Sequence, residues 1–155
     1  MDTPLIFSTR DVNQEVEMHN DPLVITLSIH GWNVTKVLID GGSSLNVLFY
    51  EPYLRMVLTV EQMDSSTCTI YGSNGAVSIP KREIVLQVRA GPLVTSTRFC
   101  VVEAPSPYNV IMGRLWVHRL RGTTSTYHQY LRFPTPMGEM DIKGDQQDAR
   151  ICNLA

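Results

Sequence analysis

The sequence predicts an all-β fold, a barrel or a sandwich, with one or two short helices. Short runs rich in β-branched and aromatic residues recur along the chain, and most of them end at glycine, proline or asparagine. Patterns typical of helices are confined to two short stretches. A chain of 155 residues is large enough to bury one core but small for two, so we expect a single domain.

The first half of the chain predicts a hairpin followed by a strand and a helix. Residues 23–29 and 34–39 are the arms of the hairpin, and the second arm runs directly onto Asp40. Residues 45–49 are apolar enough for another strand. A helix over residues 51–56 is expected because Pro52 is tolerated in a first helical turn. Residues 59–66 are polar and are expected to form a loop.

The second half continues the β pattern. A hairpin is centred on Asn74-Gly75, a pair that favours a tight turn, and further strands are predicted on both sides of Gly91-Pro92. An apolar strand then runs onto Gly113, which repeats the pattern of residues 37–41 without its acid. A helix is expected from Leu115 to Gly122. Strands are expected at residues 127–133 and 139–143.

Composition limits the domain organisation. Residues 1–21 are polar and acidic and are expected to form a flexible N-terminal arm, residues 22–143 the folded domain, and residues 144–155 a loosely held C-terminal tail. Residues 1–10 lack the pattern of a signal peptide, and no apolar run approaches the roughly 20 residues of a membrane span. No membrane partner is therefore expected.

Charge and cysteine content exclude several function classes. Thirteen basic residues face 15 acidic ones, so there is no global field that would attract nucleic acid. The three cysteines are far apart and contain no Cys-x-x-Cys pair, which argues against a disulfide framework and a zinc site, and the four histidines show no ligand spacing. We expect reduced thiols in a cytoplasmic protein that holds no metal and no cofactor.

Asp40 is the candidate catalytic residue. It ends an apolar strand and is followed by an active-site loop of two glycines and two serines: Gly41, Gly42, Ser43 and Ser44. Burying a lone carboxylate costs several kcal/mol unless it is paired or hydrogen-bonded, so an acid here requires an explanation. Glycines let the backbone turn sharply and leave amide groups uncovered. The pattern suits a carboxylate that is held rigidly while it activates water.

Two close carboxylates can share one proton, and such a pair hydrolyses amides. The second copy of the pattern, at Gly113, carries no acid, so one chain supplies one carboxylate. In a C₂ dimer the same residue lies on both sides of the axis, where Asp40 meets its own symmetry mate. The sequence therefore predicts a homodimer as a condition for activity.

Three other interpretations of this loop remain. Asp40 could cap its own Gly-Gly turn without catalysis. A phosphate-binding loop would need a following lysine and a long helix, which are missing here. A nucleophilic Ser43 would need a glycine where Leu45 stands.

The run VLIDGGSSLNVLFY, the YGSNG hairpin and the PYNVIMGR segment carry a resemblance that spans about residues 20 to 150. In the order of these motifs, the chain resembles the retropepsin-like domain of plant gypsy-type LTR retrotransposon polyproteins. The resemblance implies a closed acid-protease β-barrel, active as a homodimer, that cuts a polypeptide substrate, the element's own polyprotein.

The resemblance also implies roles for single residues. Asp40 matches the catalytic aspartate. The hairpin matches a flap that closes over a bound peptide, formed by Tyr71, Gly72, Ser73, Asn74 and Gly75. A second apolar element matches the part that braces the active-site loop, formed by Ile111, Met112, Gly113 and Arg114. A flap is useful because an extended peptide needs strand-like partners and a lid that excludes water.

The chain departs from the family pattern at two positions. Gly41 stands where the family has threonine or serine, whose hydroxyl bonds across the dimer axis in related proteases. Ser43 and Ser44 offer nearby hydroxyls that could bond the carboxylate instead. Arg114 lacks the acidic partner that follows the turn in retroviral relatives. The alternative function is therefore a catalytically weak or inactive retropepsin fold that acts as a dimerisation or peptide-binding module.

Overall fold

The computed structural model describes residues 21–59, 62–72 and 75–154. Among these residues, no helix has the length and apolar character needed to cross a membrane. The predicted N-terminal arm lies outside them except for Asp21. The strands are β1 Val24–Ile29, β2 Trp32–Asp40, β3 Val47–Phe49, β4 Asp64–Gly72, β5 Gly75–Ala90, β6 Leu93–Val102, β7 Val110–Gly113, β8 Thr123–Ser125, β9 Tyr130–Thr135 and β10 Gly138–Lys143, and the helices are α1 Tyr50–Arg55, α2 Arg114–Arg119 and α3 Gln146–Leu154.

Six of these strands close into a barrel. They follow the order β1-β2-β7-β3-β6-β5, and β5 returns to β1 through the pairs Ser28↔Arg89 and Ile29↔Val88. Strand β4 lies outside the ring and pairs with the first half of β5, while β8, β9 and β10 form a separate antiparallel sheet. The predicted all-β barrel with short helices is confirmed.

The two copies of the apolar pattern become neighbouring strands in the wall of the barrel. Strands β2 and β7 pair in parallel, with Val37 opposite Val110 and Asp40 opposite Gly113. Their inward side chains, including Val37 and Met112, are fully buried. The two repeats in the sequence are thus two strands that end side by side, with the candidate acid of one opposite the glycine of the other.

Strand lengths differ from the sequence prediction where pairing recruits polar residues. Strand β4 already begins at Asp64, although residues 59–66 were expected to be a loop. Strand β5 is one continuous element of 16 residues because it pairs with β4 in its first half and with β6 in its second. Such long-range pairing overrides weak local β propensity.

Helices α1 and α2 form near their predicted positions, although α2 ends at Arg119, three residues before the predicted end at Gly122. Helix α2 carries Trp116, whose side chain is only 1% exposed and donates its indole N–H to Thr95 Oγ1 at 3.3 Å. A buried tryptophan needs such a partner for its one polar group. Trp116 is therefore part of the core.

The prediction of a loosely held tail is wrong for residues 146–154. They form α3, whose first turn is capped by Asp145, because its Oδ1 accepts from the Asp148 N–H at 2.9 Å. Ala149 and Cys152 are buried, and Cys152 Sγ donates to the Pro107 carbonyl at 3.3 Å. The buried face of α3 consists of a few small residues in an otherwise polar sequence, so the helix gives only a weak apolar pattern in the sequence. Packing against the barrel stabilises it.

The second sheet carries a cross-strand ion pair whose contribution to stability should depend on pH. Arg132 and Asp141 face each other on β9 and β10 and form two parallel hydrogen bonds of 2.7 and 3.0 Å. The Arg132 guanidinium holds the pKa of the Asp141 carboxyl below its ordinary value of 3.8. The pair therefore stabilises the folded state above that value, and this contribution is lost as the pH falls through the lowered pKa.

Thermal unfolding of Asp141→Asn beside the wild-type protein checks this prediction. We expect the variant to unfold at a lower temperature near neutral pH, and the difference to shrink toward zero as the pH falls below 3.8. The effect should be small because the pair is largely exposed. If the difference in unfolding temperature did not change with pH, its cause would be packing and not charge.

Candidate active site

Asp40 lies half-buried at the end of β2, where the barrel strand turns into the loop. Its Oδ1 accepts a hydrogen bond from the Gly42 N–H at 2.9 Å, and its carbonyl accepts one from the Ser43 N–H at 3.1 Å. No residue that the structure describes donates to Oδ2. Asp40 therefore does cap its own turn, as one alternative predicted, but only one carboxylate oxygen is used for this.

The loop is braced by the glycine that ends β7. A Cβ on Gly113 would lie 2.6 Å from the Leu45 carbonyl oxygen and 2.7 Å from that of Ser43, distances that real Cβ atoms do not show. The next residue, Arg114, donates its backbone N–H to the Ser43 carbonyl at 2.9 Å. The structure thus places Gly113 and Arg114 directly against the active-site loop, and Ile111 pairs with Val47 on the adjacent strand.

The two serines do not act on the carboxylate. Ser43 Oγ donates to the Leu45 carbonyl at 2.8 Å and accepts from the Leu45 N–H at 3.2 Å, so its hydroxyl is used inside the loop. A serine readily makes such a local turn because its short side chain reaches the backbone two residues on. Ser44 is exposed. The suggestion that Ser43 bonds the carboxylate is therefore wrong in this structure.

The predicted flap is the hairpin of β4 and β5. Nine backbone pairs run from Asp64↔Glu83 to Gly72↔Gly75 and include Tyr71↔Ala76. Gly75 has a φ of +101°, a conformation that favours glycine. The other two residues of the predicted hairpin tip, Ser73 and Asn74, lie outside the described residues.

Gly41 opens onto a cavity on one side of the loop, which we call the Gly41 cavity. It has a volume of about 360 Å³, and Ile39, Arg114, Val117 and His118 contribute to its lining. A Cβ added to Gly41 would meet nothing within 4 Å. Arg114 forms no ion pair with any residue in the described part of the chain. The cavity thus offers an exposed cation and free space beside the candidate catalytic acid.

Comparison with known proteins tests the fold. No protein-family model matches the chain, and no curated protein matches its sequence. Among solved structures, the retroviral protease-like domain of Ddi1 from Leishmania major superposes with a TM-score of 0.55 at 16% identity, over 80% of this chain and 93% of that one. The EIAV protease in complex with the inhibitor HBY-793 superposes with a TM-score of 0.50 at 20% identity, over 68% and 93%.

The chain has the retropepsin fold. At these identities the likeness establishes the fold alone, so the catalytic role of Asp40, the flap and the bracing residues stay predictions. The structure shows that two of the predicted site elements, the Asp40 loop and the segment at Gly113, are in direct contact.

Asn46 is a site residue of this retropepsin fold that the sequence analysis missed. Its Oδ1 accepts from the Gly113 N–H at 2.8 Å, and its Nδ2 donates to the Arg98 carbonyl at 3.2 Å. Its backbone carbonyl also accepts from the Cys100 N–H at 2.8 Å. One amide side chain therefore ties the loop to β7 and β6. In the sequence, Asn46 is only a polar residue between Leu45 and an apolar strand. A residue that faces solvent would show the same pattern, so the sequence does not reveal its role.

We expect Asn46→Ala to destabilise the protein by about 1–3 kcal/mol, because the Gly113 N–H is left without a partner in a partly buried site. Asn46→Asp keeps the acceptor for Gly113 but loses the donor to Arg98, so its loss should be smaller. Urea unfolding of both variants measures the difference. Equal losses for the two variants would show that the bond to Gly113 contributes little.

Proposed function

We propose that this protein is an aspartic endopeptidase that acts as a homodimer, each chain supplying Asp40. The observation that carries the proposal is an aspartate on a braced glycine loop with one carboxylate oxygen left uncommitted. The retropepsin fold supports it, since the solved structures with this fold include a protease bound to an inhibitor. A turn that needed only a cap would be served by asparagine as well.

In this mechanism, two Asp40 carboxylates share one proton. The charged carboxylate removes a proton from water, and the water oxygen attacks the carbonyl carbon of the scissile peptide. The protonated carboxyl donates its hydrogen to the carbonyl oxygen. As the tetrahedral intermediate collapses, one of its hydroxyl groups returns a proton to the second carboxylate and the C–N bond breaks. The amine nitrogen takes up the proton held by the first carboxylate, so the pair again holds one proton. One chain cannot do this alone because Gly113, and no acid, stands opposite Asp40.

The proposed substrate is an extended polypeptide. The β4–β5 hairpin offers backbone groups for a strand-like peptide, and a hairpin over the site would exclude water from the reaction. By its resemblance, the natural substrate would be a retrotransposon polyprotein in the cytoplasm. Nucleic acid is not part of this proposal, because the net charge of −2 supplies no general attraction for phosphates.

The Gly41 cavity supports the dimer part of the proposal. Its lining includes Gly41, the position at which, by the resemblance, related proteases carry a hydroxyl that bonds across the axis. An open cavity with a cation beside a catalytic loop is suited to an element of a second copy. Gly41 also favours the second candidate function, a weak or inactive dimerisation module, because the hydroxyl that would stiffen both loops is missing.

The test combines sedimentation of the full chain with cleavage of a peptide library. A concentration-dependent dimer that cleaves peptides supports the protease. A dimer that cleaves nothing over pH 3 to 8 favours the inactive module, and a chain that stays monomeric at high concentration and cleaves nothing overturns both the protease and the dimerisation module.

We expect Gly41→Thr to fold normally and to strengthen the dimer. The added side chain meets open space within the chain, so no clash is expected, and its hydroxyl could bond across the axis. One hydrogen bond per chain, each worth about 1 kcal/mol, lowers the dissociation constant roughly tenfold or more. Sedimentation equilibrium measures this, with Gly41→Val as the matched control that has the shape without the hydroxyl. Equal effects of the two variants would exclude the hydrogen bond as the cause.

A further inference from the structure

A second cavity adjoins the end of the active-site loop, and we call it the Trp116 cavity. It has a volume of about 280 Å³, and its lining includes Ser44, Leu45, Asn46, Glu83 and Trp116. Ser44 belongs to the active-site loop, and Leu45 and Asn46 directly follow it. The cavity therefore adjoins the proposed catalytic loop, and it shares no lining residue with the Gly41 cavity.

The Trp116 cavity lies between two elements that would hold a bound peptide. Glu83 lies at the base of the flap hairpin, where it pairs with Asp64. The cavity thus spans the gap between the end of the loop and the base of the flap. A peptide held between these two elements would pass this gap on its way out of the site, several residues from the bond that is cut.

The walls of the cavity are largely apolar. Leu45 and Leu115 are 53% and 57% exposed, and Trp116 lies behind them in the core. Exposed large apolar residues that flank a concave site mark a place where apolar surface can be covered. The volume is just below the about 300–1,000 Å³ of pockets that bury a drug-sized molecule. It fits one large side chain and not a whole ligand.

The rim of the cavity carries a positive charge. Glu83 is paired with Arg98 at 3.5 Å, which neutralises both groups. Arg119 is exposed and uses one Nη1 hydrogen on the Ser96 carbonyl at 2.9 Å, so its other donors face solvent at the rim. An exposed cation adds little affinity but discriminates between charges on a partner. An acidic group beside the apolar side chain is therefore favoured.

We propose that the Trp116 cavity is a substrate subsite for a position away from the scissile bond, and that it takes a large apolar side chain with an acidic residue next to it. This inference rests on the proposed endopeptidase function. It assigns Leu45, Leu115 and Arg119 as specificity-determining residues, and Arg119 as the one that selects charge.

Cleavage of a peptide library by the full chain tests the subsite. We expect one outer position to be enriched in Leu, Met or Phe beside Asp or Glu. Leu115→Ser should remove the apolar enrichment at that position only, and Arg119→Glu should raise KM about tenfold for acidic peptides with little change in kcat. Arg89→Glu, which changes the same charge on an exposed site of β5, is the control. An outer profile that is identical in all four proteins overturns the subsite.

A binding measurement keeps this test separate from catalysis. The chain has two tryptophans, so Trp32→Phe leaves Trp116 as the sole reporter. We expect the capped peptide Ac-Glu-Leu-Asp-NH₂ to saturate the change in Trp116 fluorescence at a lower concentration than Ac-Lys-Leu-Lys-NH₂, and Arg119→Glu to reverse this preference. Binding without any cleavage would overturn the endopeptidase function and leave a peptide-binding cavity, whereas cleavage with no response to either peptide would overturn the subsite alone.

Discussion

Asp40→Asn is expected to abolish peptide cleavage, with kcat/KM at least about 10³-fold below wild type, within the range that a positioned general acid or base contributes. Asparagine has nearly the same shape and still offers an oxygen to the Gly42 N–H, so the loop should keep its conformation. The side chain can no longer take a proton from water. Loss of activity with unchanged stability would therefore assign the chemistry to this carboxylate.

The controls for Asp40→Asn address fold and charge separately. Thermal unfolding should differ little between the variant and wild type, because the turn hydrogen bond persists. Glu51→Gln removes one negative charge at an exposed site of α1 and should leave cleavage unchanged. Wild-type cleavage by Asp40→Asn would mean that the aspartate only caps its turn and that the proposed mechanism is wrong.

The pH dependence of cleavage offers an independent check on the shared proton. A pair of close carboxylates works only when it holds one proton, so the rate should rise and then fall with pH. We expect a bell-shaped profile of kcat/KM for the wild-type dimer. A rate that rises steadily toward alkaline pH would contradict a mechanism in which one carboxyl must stay protonated.

Gly113→Ala is expected to have the second largest effect. The new methyl group would fall within 2.7 Å of two carbonyl oxygens of the active-site loop, and backbone atoms cannot move aside without shifting the loop. Overpacking of this kind costs about 1–3 kcal/mol in stability. Because the displaced loop carries Asp40, cleavage should fall by at least about 100-fold, since misplacement of about 1 Å has such an effect.

Gly41→Ala is the matched stability control, since its methyl group would meet open space in the same loop. Urea unfolding should therefore separate the two variants, with a clear loss for Gly113→Ala and little change for Gly41→Ala. If both variants lost stability equally, the cost would come from the backbone conformation of the glycines and not from the contact between β7 and the loop.

Much of the barrel could be predicted from local sequence. The β-branched runs predicted β1, β2, β5 and β6, because alternating or continuous apolar patterns depend only on neighbours in the chain. The active-site loop was likewise visible, since an acid between an apolar strand and two glycines is unusual anywhere. Strand β8 gave no such signal, because three residues are too few to show a period.

The sequence by itself determined the strand arms, the turns and the identity of the one candidate acid, because these follow from side-chain and backbone preferences over a few residues. Only the tertiary structure decided that β2 and β7 lie in parallel, that Asn46 links Gly113 to β6, and that α3 is held against the barrel. Each of these depends on contacts between residues far apart in the chain. These contacts stabilise the protein only after the barrel has closed, so no pattern over a few neighbouring residues can predict them.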